Sequence, residues 1–432
     1  MGTEVSRREW MKNALGAGAA FAAGGVLLAG AKEGRSDEAV KQDALPGRLF
    51  NLLEYGAVGD GVADDTAAFQ GAVDACLKAG GGTVAIPSGQ YRITRPVIIS
   101  SAERIDIVGS GMTSEVLHVE DAPLLVWPDG VACRESTVRD LCFSSVGKDK
   151  APATPMILSS SSAERSLFSN LLMRSGGAKM GSGIVTEGVA DSTTIKHCLL
   201  WGPVTGTGIE IARGSEVRVF GARVIGSHNI YKEASRGNIG IHVAGGNGGV
   251  HVVTTDLIAL ETSMKIGEPG ATSNREIFIT HATFDSSFHG LWQVDNAYTS
   301  IAGIWSASAD EDQVLLDSSA THAILVITGG TIYNGGTYGR PGAHNGMVVR
   351  AGTFLLNAVT IRNNKGHGIL IENPEVQGYT ISGCRIHDNG SGAVLDGRDY
   401  AVTGNVFMNN GVHLVDRGGG IKQLTGNVIP SA

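Results

Sequence analysis

Two carboxylates carry the first chemical suggestion in this chain. Asp256 closes Thr254-Thr255-Asp256, and Asp285 closes Thr283-Phe284-Asp285. Setting residues 252–257 against 279–284 on their apolar positions puts both aspartates on the outward side of neighbouring strands, with Asp285 two positions further along. One strand spacing of about 4.8 Å and two strand residues of about 6.6 Å then separate the backbones by roughly 8 Å. Carboxyl groups about 6.5 to 9.5 Å apart leave room for a water between an acid and a base, which inverting glycoside hydrolysis requires. The assignment rests on register, because a slip of one residue turns either side chain inward.

Further candidates surround the pair. Glu261 and His289 follow at the bends of the same two repeats, where either takes the place of one aspartate or holds substrate. Glu210, His242, Lys265 and Gln293 align as an outward polar row on another strand, a row that cross-strand pairing alone also explains. Trp305 and Tyr333 align outward, where aromatic rings stack on sugars, whereas Trp292 falls in an inward column. Two insertions, 226–238 and 333–345, extend the chain at one place, after the second strand of their repeats, with three ordinary repeats between them. They predict two walls of a groove, Arg340 standing on the second and the repeats near 240, 263 and 290 forming the floor.

The elements that must position these residues form a repeat. Beyond the first hundred residues the chain falls into units of about 19 to 33 residues, each opening with a Gly-apolar-x-apolar strand. The openings are Gly183-Ile184, Gly208-Ile209, Gly240-Ile241, Ser263-Met264, Leu291-Trp292, Gln313-Val314, Gly346-Met347, Gly368-Ile369, Gly392-Ala393 and Gly411-Val412. A second strand in each unit carries two apolar residues five apart, such as Ile195 with Leu200, Val252 with Leu257 and Ile381 with Ile386. One unit has no second layer on which to bury its apolar face, so the units must stack, and these residues become interior ladders. Asparagines at the bends, Asn363-Asn364, Asn389 and Asn409-Asn410, suit left-handed turns and stacked amides.

Upstream, the segment 50–94 opens FNLLEYGAVGDGVADDTAAFQ and ends GGGTVAIPSGQYRIT. Asp64 and Asp65 precede Thr66, where carboxylates accept the free N–H groups of a helix's first turn. Phe69, Val73 and Leu77 give that helix one buried stripe, Gly80-Gly81-Gly82 stops it, and 83–87 and 91–93 read as strands. This segment closely resembles the opening of the pectate-lyase superfamily, including proteins related to glycoside hydrolase family 28. The resemblance implies an all-β fold, a single-stranded right-handed parallel β-helix with an N-terminal helical cap, and activity on a polysaccharide. Polygalacturonase-type enzymes carry an Asn-Thr-Asp, an Asp-Asp pair, a Gly-His-Gly and an Arg-x-Lys in order. Here only Thr254-Thr255-Asp256 and Gly366-His367-Gly368 echo that pattern, no Asp-Asp pair follows Asp256, and His367 lies several repeats away, where the repeat wants a turn.

Ser6-Arg7-Arg8-Glu9-Trp10-Met11-Lys12 followed by an uncharged run from Asn13 to Ala31 matches a twin-arginine export signal ending in Ala29-Gly30-Ala31. The run is Gly/Ala-rich and at the lower limit of the about 17 to 25 apolar residues of a membrane span, so no stable insertion is expected once it is removed. The expected organisation is a signal peptide at 1–31, a linker at 32–47 and one β-helix domain at 48–432, with the cap and first strands at 48–98. The whole chain carries a formal charge of -8, which argues against a nucleic-acid partner. Five scattered cysteines without a C-x-x-C pair point to buried, inert thiols and to no metal site.

These features predict an exported glycoside hydrolase with a polysaccharide or oligosaccharide partner, no cofactor, and a monomeric or homotrimeric state. Two alternatives stay open. A uronate lyase would use Lys265, Arg223 or His289 to remove the proton α to a carboxyl, with calcium or an arginine stabilising the enolate. A non-catalytic β-helix would bind glycan without turnover.

Overall fold

The computed structural model describes residues 48–226 and 237–430. The signal and linker segments, 1–47, lie outside the described residues, as does most of the first insertion. The helix spans Thr66–Lys78, starting where the paired aspartates predict. The two carboxylates divide the work differently from that reading. Asp64 accepts the Thr66 amide at 3.0 Å, whereas Asp65 makes no capping bond and ties down the preceding loop, accepting Val58 N at 2.7 Å and Gly59 N at 3.2 Å. Phe69 and Val73 are fully buried and pack with Val84, Ile86 and Tyr91, so the helix closes one end of the apolar interior. Gly81 is required at the helix exit, since its φ is +100° and a Cβ there would lie 2.4 Å from Arg104 O. Among the described residues no helix is long and apolar enough to cross a membrane.

From there the chain winds as a right-handed parallel β-helix. Each turn has two short strand limbs in one sheet, a corner, and a strand in a second sheet; the named strand pairings are all parallel. The first limb stacks Ile195, Val219, Val252, Ile279, Ile301, Ile327, Leu356, Ile381 and Val402. The second stacks Leu200, Val224, Leu257, Phe284, Ser306, Ile332, Ile361, Ile386 and Phe407. These are the expected ladders, with the coil of Ile301 and Ser306 added, and all are buried. At about 1.5 to 3 kcal/mol for each large apolar side chain, they supply most of the cohesion between coils. All five cysteines are free and buried; burial pushes the Cys133 and Cys198 thiols up to about 12.

Two openings are shifted from the expected register. Met264 pairs with Leu291 and Lys265 with Trp292, so the inward residue is Leu291, Trp292 joins the outward row, and Gln293 is fully buried. The reason is the strand residue Gly290, where a Cβ would lie 2.2 Å from Gln313 O on the next coil, so that the strand's Gly-apolar opening is Gly290-Leu291. The strand's alternation starts only after it. Likewise Ala393 pairs with Leu414, not Val412.

The corner between the two sheets is held by left-handed residues in a column. Ala259, Ser286, Ser308, Asn334, Asn363, Asp388 and Asn409 all have φ between 52° and 62°. Behind them Asn364 Nδ2 donates to Asn389 Oδ1 at 2.9 Å, and Asn389 Nδ2 to Asn410 Oδ1 at 3.0 Å. Replacing Asn389 by Ala leaves the buried Asn364 backbone and side-chain amides on the preceding coil unsatisfied. The expected loss is about 1 to 3 kcal/mol, measurable by denaturant unfolding; an unchanged midpoint would show that the ladder contributes nothing.

Candidate functional site

The second insertion and the described ends of the first, Gly226 and Gly237, sit at this corner, and three ordinary coils pass between them, through Ile258–Thr262, Asp285–His289 and Ala307–Asp312 in chain order. Asp256 pairs with Thr283, two residues before Asp285, and Asp285 pairs with Ile258. The one-coil, two-residue offset expected for the aspartates therefore exists, and both face outward. They are held there by Leu257 and Phe284, which anchor the same strands inward.

The environments of the two carboxylates differ. Burial pushes the Asp285 carboxyl up from the usual aspartate range, against hydrogen bonds from Ser286 and Ser308 that pull it down. Ser286 Oγ donates to Asp285 Oδ1 at 2.9 Å. Tyr333, two coils further along the same column, is raised by its own burial and then by the Asp285 charge. The Arg362 guanidinium lies 4.6 Å from the Tyr333 ring centre, and Trp305 meets that ring edge-on at 4.9 Å. Trp305 keeps 43% of its surface exposed. Asp256, by contrast, faces solvent and pairs with Arg223 at 3.1 Å.

Glu261 and His289 lie on the same corner. The Glu261 carboxylate accepts the Gly237 amide, and its own N–H donates to Asn238 Oδ1 at 2.7 Å. The His289 ring packs on Phe288 at 5.0 Å and Trp292 at 5.4 Å. Three further acids of the floor, Asp310, Glu311 and Asp312, did not enter the sequence reading, although a run of consecutive acids at a coil corner is itself a signal. Asp312 is buried, raised by that burial, and bound by Asn345 Nδ2 at 2.9 Å.

Asp310 corrects the reading of Arg340. The Arg340 guanidinium is not presented to the groove; it pairs with buried Asp310 at 2.8 Å and donates to Ser286 O at 3.2 Å. Tyr338 Oη lies 3.1 Å from Ser286 Oγ, so this insertion is latched onto the coil of Asp285.

The polar row of the second sheet is a separate cluster. Glu210, His242, Lys265 and Trp292 stand in register on successive coils. Glu268 joins them, 2.7 Å from Lys265 Nζ and 3.2 Å from His242 Nε2. Burial, then the Glu187 and Glu268 charges, raises Glu210; burial, then Lys265, lowers His242. The row meets this corner through His289 against Trp292. Among the described residues no group of three or more His, Cys, Asp or Glu is placed to hold a metal ion.

Two family models cover most of this architecture. "Rhamnogalacturonase A/epimerase, pectate lyase-like" matches residues 49–256, and "right handed beta helix region" matches 271–429. The chain belongs to the pectate-lyase-like β-helix superfamily. Mannuronan C5-epimerase AlgE2 of Azotobacter vinelandii is 43% identical over 77 residues, 17% of this chain and 8% of that protein. Alginate lyase 7 of the same organism is 46% identical over 79 residues, 17% of this chain and 9% of its own length. These matches thus span less than a tenth of either relative. Plasmin and fibronectin-binding protein A of Streptococcus pneumoniae is 27% identical over 198 residues, 44% of this chain and 26% of that protein. Among solved structures, the family 28 exopolygalacturonase of Yersinia enterocolitica superposes with a TM-score of 0.50 at 13% identity, over 88% of this chain and 78% of that one. At that identity the likeness is one of fold.

Proposed function

We propose that this superfamily member is an exported carbohydrate-active enzyme that hydrolyses a polysaccharide in the corner groove. The observation that carries the reading is the contrast between two outward carboxylates on adjacent coils, one desolvated and one solvated beside a guanidinium. A desolvated carboxyl group holds its proton more tightly, which suits it to the acid role. Asp285, held toward its protonated form, donates a proton to the glycosidic oxygen. Asp256, paired with Arg223, takes a proton from the water that attacks the anomeric carbon. Trp305 and Tyr333 offer ring faces and edges to the sugar, and Glu261 and His289 line the corner beside Gly237. The twin-arginine pattern at 1–31 supports export.

The lyase reading is favoured by a different observation, the Lys265, His242 and Glu268 contact beside Trp292, where a partly buried amine and imidazole share one carboxylate. The names of two relatives, a mannuronan epimerase and an alginate lyase, point toward uronate polymers as the substrates to try first. The deciding experiment incubates the purified protein with alginate, polygalacturonate and neutral glucans, and follows reducing ends together with ultraviolet absorbance of unsaturated products. Reducing ends without absorbance are expected. Absorbance would transfer the chemistry to Lys265 and its neighbours, and neither signal would leave a glycan-binding protein.

A further inference from the structure

The outer face of the first limb carries a feature that the groove does not use. Its rows run Lys196, Phe220, Val253 and Thr194, Arg218, His251, Phe278 on successive coils. Further along, the first row continues as Thr280, Ala302, Thr328, Asn357, Ser382 and Thr403, the small and polar residues that a solvated face of a β-helix needs. Phenylalanine rings and basic side chains thus stand side by side on these coils. Phe220 is 44% exposed, its ring set edge-on to His197 at 5.5 Å. His251 stacks on Phe278 with ring centres 5.0 Å apart. Between them lies a depression of about 390 Å³ bounded by Thr194, Lys196, Arg218, Phe220, His251 and Val253.

We propose that this depression is a second, non-catalytic site for an acidic sugar of the polysaccharide chain. An exposed aromatic ring beside an apolar floor suits the flat face of a pyranose, and the two cations at the rim suit a carboxylate. Arg218 is anchored by Glu216 at 3.3 Å and keeps half its side chain in solvent, while Lys196 has no ion pair to a described residue. The site spans two coil steps, about 9.6 Å, which matches a disaccharide. It lies on the same coils as Arg223 and Asp256 but across the bend at Gly221 and Thr254, so a long polymer held here is presented to the groove without contacting Asp285. The neutral rows downstream offer neither ring nor charge.

This site shares with the proposed function the premise that the ligand is a glycan, and the two fail separately. The full-length protein carrying Asp285→Asn is titrated calorimetrically with hexamers of mannuronate and galacturonate, and with maltohexaose. Two uronate-binding events per chain are expected, of which one weakens at least tenfold in Phe220→Ala and in Arg218→Ala and is retained in Phe220→Tyr. Turnover of short substrates by Phe220→Ala in the otherwise native protein stays unchanged. Equal affinity for maltohexaose, a single binding event, or titrations that Phe220→Ala leaves untouched would each overturn the site. Unaltered turnover in Asp285→Asn would overturn the catalytic reading and leave the depression standing.

Discussion

Asp285→Asn is expected to lower turnover by more than about a hundredfold, the upper part of what a positioned general acid contributes, while raising the melting temperature at neutral pH. The two effects have one origin. Burial raises the Asp285 carboxyl, so the folded protein holds that proton more tightly than the unfolded chain does. The stability this group contributes is therefore fully present below its unfolded value of 3.8 and lost as pH rises through the folded value. Above that folded value the wild type keeps a desolvated carboxylate that asparagine does not have, while the Ser286 hydroxyl can still donate to the asparagine oxygen. The gain in melting temperature should vanish near pH 3, where both side chains are neutral. The kinetic counterpart is a loss of kcat/KM as pH rises through the Asp285 transition, absent from the residual activity of the variant. A variant that is both inactive and less stable at every pH would point to a structural role for Asp285. Full activity would remove it from the mechanism.

How much of this site could be read in the sequence depends on where each residue's partners lie. The register of Asp256 and Asp285 was legible because Leu257 and Phe284 stand next to them, and a buried neighbour fixes which way a strand residue points. The same reasoning fails one corner later. The strand's Gly-apolar opening is Gly290-Leu291, with no room for a side chain at Gly290, and not Leu291-Trp292, so Trp292 and Gln293 exchange faces. The helix start was legible from Asp64 and Asp65, whereas Asp65's partners depend on how the loop at Val58 and Gly59 folds back. The environment of Asp285 was beyond reach, since it comes from its own burial and from Ser308 and Tyr333 on later coils. Charge order along the chain identifies acids, but burial, which decides their protonation, is set between coils.

Arg340 is the other residue whose role only the stacked coils reveal, and its removal is expected to be costly. Arg340→Ala leaves the Asp310 carboxylate, 3% exposed, without its guanidinium. Breaking one side of a buried ion pair costs about 3 to 5 kcal/mol, because the remaining charge stays desolvated. Arg350 and Glu372, paired at the same kind of distance but each about 40% exposed, provide the comparison. Arg350→Ala should cost less than about 1 kcal/mol. Adding Asp310→Asn to Arg340→Ala should recover at least half of the lost stability, since the buried charge is gone. It should not recover turnover. Arg340 also holds Ser286 O, and Tyr338 on the same insertion reaches Ser286 Oγ, so the latch sets the wall of the groove and the serine that binds Asp285. Recovered stability with persistent loss of kcat/KM is the signature of a positioning residue. A stability loss no larger than that of Arg350→Ala, or turnover restored together with stability by Asp310→Asn, would mean that the insertion does not position Asp285.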